Sequence, residues 1–313
     1  MLTQQQLDSF HANGYLIMRG LIQGRELALL QEAAESVVNE GVSRQGVEHK
    51  YHTYPDGREV YWRSEQMWLR GDIFQSVTVN PELLENIGQC IGQTFYPWND
   101  SLVVKLPNSG APVKWHQDPP YRNPDRETTF PVPNFTTDIY LDRSWTGNGC
   151  VFAIPGHHLV GHVDLEARSD AELFNDHGAV PLEMEAGDVL FHSLSTPHGS
   201  GPNPSDSTRR VFYLHYVAEE VFQDGYSRES WAREKPGWNK GRLHLIEEMM
   251  RVRESLGFEP TLKRGTIRYS EDGFSFTGAP TTVPRWWGTL AERIPQERRD
   301  PMKRLSALER PGN

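Results

Sequence analysis

The chain has 313 residues, of which 37% are hydrophobic, and carries a formal charge of −10 at pH 7. That length suits one large domain or two ordinary ones, and the acidic balance argues against a general nucleic-acid binder, which shows a basic face. The longest apolar runs, such as 15–18 and 211–214, are far below the ~18 residues that cross a bilayer. The start, Met1-Leu2-Thr3-Gln4-Gln5, lacks the basic and apolar regions of a secretion signal. Two cysteines, Cys90 and Cys150, make no disulfide framework. A cytoplasmic protein with no nucleic-acid partner and no membrane span is expected, its oligomeric state unknown.

In chain order, Thr3-x-x-Gln6 reads as a capping box before a short helix that ends at Gly14. Residues 15–18, four apolar residues in a row, read as a buried strand. Residues 25–39 form a helix by the spacing of Leu27, Leu30, Ala34, Val37 and Val38, with Gly41 ending it. Residues 50–62 read as a hairpin turning at Pro55-Asp56-Gly57. The surrounding stretch interleaves Tyr51, Tyr54, Tyr61, Trp62 and Trp68 with His49, His52, Arg58, Arg63 and Arg70. These aromatics either pack the hairpin onto the core or line a pocket for an anionic or ring-shaped substrate, and for any single residue packing is the expectation. Asn80-Pro81 opens a helix over 82–92, residues 95–98 are expected to turn, and 102–106 is a strand whose Lys105 is expected at the surface.

Residues 119–134 form a long Pro-rich loop, in which Tyr121 and Arg122 are substrate-contact candidates. Strands are expected over 135–141, 150–154 and 189–192, an edge strand over 181–185, and a solvated excursion over 159–179. His157 and His158 are adjacent and point in different directions, so joint ligation is not expected. His192 on an apolar strand reads as a core histidine, a reserve ligand at most. On the strand 211–217, Arg209 and Val211 share one face while Arg210 and Phe212 share the other, so only one arginine faces inward. Beyond it, 243–256 reads as a helix, 265–278 as a hairpin or loop, and Arg285-Trp286-Trp287 as a cover or contact.

The chemistry concentrates at Trp115-His116-Gln117-Asp118 and Thr196-Pro197-His198-Gly199-Ser200. His116 and Asp118, two apart, point to one face of a strand. If the fold returns His198 to them, two histidines and one carboxylate leave the opposite positions of a metal open, the pattern of non-haem Fe(II) oxygenases. An arginine on the strand after the second histidine is placed to fork onto a carboxylate such as that of 2-oxoglutarate.

These residues, with Asn148-Gly149-Cys150, Ile154-Pro155-Gly156-His157-His158, the run 186–191, Arg209, and the opening Asn13-Gly14-Tyr15 and Arg19-Gly20, occur in the order seen in the phytanoyl-CoA dioxygenase family. Over about residues 1–220 the chain resembles that family. The resemblance implies a mainly β double-stranded β-helix (jelly roll, cupin-like) with flanking helices. It implies Fe(II) held by His116, Asp118 and His198, with 2-oxoglutarate and O₂ as cosubstrates. Arg209 and the Ser200 hydroxyl would meet the far carboxylate, with Gln117 nearby. A small-molecule substrate is implied, with release of succinate and CO₂. Asp118 favours hydroxylation over halogenation, because related halogenases leave that position to Gly or Ala. Asp138 stands where many members carry a Trp against the cosubstrate. One domain is expected over 1–313, with 221–313 as a C-terminal elaboration. A Zn-dependent hydrolase on the same ligands, or a cupin-like binding protein without turnover, are the alternatives, and both leave Arg209 unexplained.

Overall fold

The computed structural model describes residues 1–46, 48–91, 94–108, 110–118, 135–159, 165, 169–175, 178–218, 243–270 and 273–278. Two antiparallel sheets pack face to face. In chain order the strands are β1 (Tyr15–Met18), β2 (His49–Thr53), β3 (Glu59–Glu65), β4 (Phe95–Lys105), β5 (Val113–His116), β6 (Phe135–Tyr140), β7 (Val151–Ala153), β8 (Val180–Leu182), β9 (Val189–Ser193), β10 (His198–Ser200), β11 (Arg209–Ala218), β12 (Ile267–Ser270) and β13 (Gly273–Phe276). The large sheet runs β1-β9-β6-β11-β4, and the outer edge of β4 is shared by β3 near Val103 and by β13 at Phe95. The small sheet runs β5-β10-β7-β8.

Strand alternation explains the layers. On β11, Phe212, Leu214 and Tyr216 enter the main apolar core, while Arg209, Val211, Tyr213 and His215 face the space between the sheets. The main core is closed by helices α1 (Gln4–Asn13), α2 (Gly24–Val42), α3 (Asp72–Thr78), α4 (Pro81–Ile91) and, late in the chain, α6 (Leu243–Ser255). A second cluster joins the sheets through Tyr140, Leu190 and Val211 on one side and Ala153 and Leu182 on the other. A third, of Trp115, Ile154, Leu165 and Leu173, lies against the small sheet. It includes the short helix α5 (Asp170–Phe174), whose Ser169–Glu172 capping box sits inside the stretch expected to be a solvated excursion.

The N-terminal capping box forms as expected, and Gly14 closes α1 at φ +79°. Three expectations are corrected. Gly41 does not end α2, which runs on to Val42; it is the point where the Tyr61 ring packs so closely that a Cβ would meet its Cε2 at 2.4 Å. Residues 95–98 do not turn but begin the eleven-residue β4, with Phe95, Tyr96 and Trp98 buried. Lys105 is not at the surface: it is 1% exposed. Arg285-Trp286-Trp287 lies outside the described residues. Among the described residues no helix is long and apolar enough to cross a membrane.

Candidate active site

β5 and β10 are adjacent antiparallel strands, and their register places His198 opposite His116. Trp115 turns outward into the small-sheet cluster, and its neighbour His116 therefore turns inward. Ligand atoms of His116, Asp118 and His198 all lie within 4.8 Å of one another, with His116 Nε2 3.7 Å from Asp118 Oδ1 and the two imidazole centroids 4.3 Å apart.

The backbone selects the tautomers. His116 Nδ1 lies 2.7 Å from the Lys114 carbonyl and His198 Nδ1 lies 2.9 Å from the Thr196 carbonyl. A carbonyl only accepts, so each Nδ1 carries the hydrogen and each Nε2 offers its lone pair to the shared space, the orientation metal-binding histidines adopt. Burial, reinforced by His116 and His192, pushes the His198 imidazolium down to about 3, so this lone pair is free at neutral pH. Burial alone would raise the Asp118 carboxyl. The surrounding histidines, His198 foremost, instead hold it below the ordinary carboxylate value. The Tyr213 hydroxyl donates to Asp118 Oδ2 at 3.1 Å and fixes the carboxylate.

These groups line a cavity of about 330 Å³ between the sheets. At one end stand Arg209, Ser200 and Tyr140, all buried. Arg209 Nη1 donates to the Gly149 carbonyl at 2.7 Å, which gives the Asn148-Gly149-Cys150 motif its purpose. Gly149 is held at φ +75° in a turn where a Cβ would lie 2.7 Å from the carbonyls of Gly201 and Pro202. Arg209 Nε and the Tyr140 hydroxyl are buried polar atoms without a partner among the described residues. An unpartnered guanidinium N–H and an unpartnered hydroxyl facing one cavity suit a carboxylate. Behind them lies Lys105, opposite Arg209 in the β4–β11 register. Its Nζ donates to the Ala111 carbonyl and, at 2.7 Å, to that of Gly201. Burial and the neighbouring Arg209 lower the Lys105 ammonium well below its usual value.

Arg210 points the other way, as alternation requires, and pairs with Asp142 and Glu35, each at 2.8 Å. Gln117 does not line the cavity; its amide donates to the Ser195 carbonyl at 2.6 Å. Tyr121 and Arg122 lie outside the described residues. His158 is buried and its Nε2 lies 3.0 Å from the His11 carbonyl, away from the triad. His192 is a cavity residue, its Nε2 3.2 Å from Asp138 Oδ2 and its ring 4.6 Å from that of His198. Sequence reasoning passed over Tyr140, Tyr213 and His215 as cavity residues. The available signal was period-two alternation, since Tyr213 and His215 share the Arg209 face of β11 and Tyr140 shares the Asp138 face of β6.

Fold and site together define a cupin-like oxygenase scaffold: a double-stranded β-helix with two histidines and a carboxylate gathered inside it. Residues 10–211 match the family Phytanoyl-CoA dioxygenase (PhyH), and the chain belongs to that family. It is 27% identical to a methylphosphonate hydroxylase of Gimesia maris, over 75% of this chain and 86% of the relative. It is 26% identical to a probable alpha-ketoglutarate-dependent hypophosphite dioxygenase of Stutzerimonas stutzeri, over 71% and 80%. The rat peroxisomal phytanoyl-CoA dioxygenase is 23% identical over 84% and 81%. Among solved structures, iron-bound EctD from S. alaskensis shares the fold with a TM-score of 0.57, at 22% identity over 70% of this chain and 78% of that one. The cofactors are those of the family, Fe(II) and 2-oxoglutarate, and the donor set fits them.

Proposed function

We propose that this chain is an Fe(II)- and 2-oxoglutarate-dependent dioxygenase that hydroxylates a small-molecule substrate, releasing succinate and CO₂. The observation that carries this reading is the triad of His116, Asp118 and His198 in a cavity that also holds Arg209, whose buried Nε has no partner among the described residues. Iron, 2-oxoglutarate and O₂ supply the oxidising chemistry when bound. The chain's own residues do the rest. His116, Asp118 and His198 hold the metal from one side, with the lone pairs aimed by Lys114, Thr196 and Tyr213. Arg209, Ser200 and Tyr140 bind the distal carboxylate of the cosubstrate. The flanking apolar residues Val113, Val151 and Val211 exclude water from between these two poles.

Hydroxylation is supported by the carboxylate at Asp118 and by the relative named a hydroxylase. A carbocyclase and an epimerase of the same fold use the alternative outcomes of this chemistry. The domain reading is one unit, with its core over about 1–220 and the rest an elaboration.

The test is anaerobic titration of metal-free protein with Fe(II) and then 2-oxoglutarate, following the weak visible charge-transfer band of an iron-bound keto acid. The band is expected in the wild type and absent from His116→Ala, which also loses iron binding and activity. Full activity in His116→Ala overturns the assignment.

A further inference from the structure

The same cavity is also lined by Trp62, Arg63, Trp98 and Asn99, with Arg63 on β3 paired to Val103 of β4, which separates it from β11 and Arg209. The guanidinium of Arg63 is half-buried and ion-paired with Glu65: its Nε lies 2.8 Å from Glu65 Oε1 and Nη2 donates to Glu65 Oε2 at 3.5 Å, while Nε is buried with no hydrogen-bond partner among the described residues. Its carbon stands 5.9 Å from the centre of the Trp62 ring. A guanidinium presents its N–H groups as a rigid planar fork, the shape that matches a planar or tetrahedral oxyanion, and a buried N–H left without a hydrogen bond favours such a ligand. Asn99 lines the cavity from the neighbouring strand β4, four residues along from the Val103 that pairs with Arg63, and its side-chain oxygen is buried with no partner among the described residues. The β4–β11 register pairs Asn99 with His215, a neighbour on the cavity face. Trp62 and Trp98 add apolar surface to the lining.

Resting on the reading above, we infer that this β3–β4 wall of the cavity is the substrate subsite, and that it takes a small organic anion. The oxyanion lies on Arg63, an N–H or O–H of the ligand meets Asn99, and the carbon portion lies against the tryptophans. Arg63 thereby sets substrate specificity. The cosubstrate's carboxylate and the substrate's anionic group are held by different arginines, on β11 and β3, in one cavity.

The test uses the full chain and a matched series: C1–C3 alkylphosphonates, alkanesulfonates and carboxylates, against primary amides of the same length. Binding is read by tryptophan fluorescence with 2-oxoglutarate at saturation, with and without Fe(II) under anaerobic conditions. At least one anion is expected to bind saturably and at least tenfold tighter than its amide. Arg63→Met is expected to weaken that anion at least tenfold, and Arg63→Lys less. Both variants should bind 2-oxoglutarate as the wild type does, which separates a lost subsite from a lost fold. Saturable binding by no anion, equal binding of the amides, an anion displaced by 2-oxoglutarate, or wild-type anion affinity in Arg63→Met each overturns the proposal. Failure of the oxygenase reading looks different: the iron and 2-oxoglutarate signals are then absent while anion binding at Arg63 persists.

Discussion

Arg209 and Arg210 are consecutive, equally charged, and opposite in role, because a strand sends successive side chains to opposite faces. Arg209 is 2% exposed and has an unpartnered Nε in the cavity; Arg210 is bracketed by Asp142 and Glu35 on the other side. A charge-assisted bond to a buried carboxylate is worth about 1.5–3 kcal/mol, so Arg209→Ala should raise the KM for 2-oxoglutarate about 10- to 100-fold. Arg210→Ala should leave that KM within about twofold and instead lower the denaturation midpoint, since it strips partners from Asp142. Steady-state succinate assays on the two variants check both statements. Alternation said only that one of the two arginines faces inward; the family spacing from the second histidine pointed to Arg209, and the ordered motifs pointed to the triad and Ser200, all of which line the cavity. Lys105 was not legible in the sequence. A lysine at the end of an apolar strand reads as a surface residue, and only the fold shows two carbonyls, of Ala111 and Gly201, waiting for its ammonium.

At the scale of elements, the site is held from outside by turns that also appear as sequence motifs. Asp188, 3% exposed, accepts from Arg19 at 2.6 Å and from the Gly20 and Glu185 amides at 2.7 and 2.8 Å. The opening Arg19-Gly20 and the later Gly187-Asp188 are thus two halves of one joint. Gly14 makes a second joint: its carbonyl accepts from the Thr196 hydroxyl at 2.9 Å and the Ser193 amide at 2.7 Å. Thr196 in turn provides the carbonyl for His198. A Cβ on Gly14 would lie 2.4 Å from both His158 Nδ1 and Thr196 Oγ1, at a φ of +79°. Gly14→Ala should therefore cost about 2–4 kcal/mol from left-handed backbone strain and overpacking, and should also weaken Fe(II) binding by displacing the His198 loop. Urea denaturation and an iron titration measure the two effects. The capping box and the strands were legible here through local patterns. The ends of α2 and the start of β4 were not, because a glycine and a Pro97-containing stretch carry turn signals that packing overrides.

For the molecule as a whole, the buried imidazoles set the acid limit. Burial holds His158 and His198 at about 3 and His215 at about 4, against 6.5 for an exposed histidine. Each depressed group favours the folded state above pH 6.5, and that contribution is lost as pH falls from there through the folded value. His192 is raised by Asp138 against its burial, so its contribution is already complete below 6.5 and does not offset the loss. Metal-free protein should then lose up to about 1.4 kcal/mol per pH unit for each depressed histidine between pH 6.5 and 4. Denaturant midpoints measured at pH 7, 6 and 5 should fall with increasing steepness, and a flat profile would mean that these rings are not buried neutral. The Gly14–Thr196 joint spans 182 positions of chain. A ribosome delivers Gly14 182 residues before Thr196, so the Gly14 turn must wait for the loop that it braces. The metal-binding geometry is therefore acquired by long-range closure, the slow kind of folding step, and iron that binds only the closed chain acts as a latch on a structure already complete.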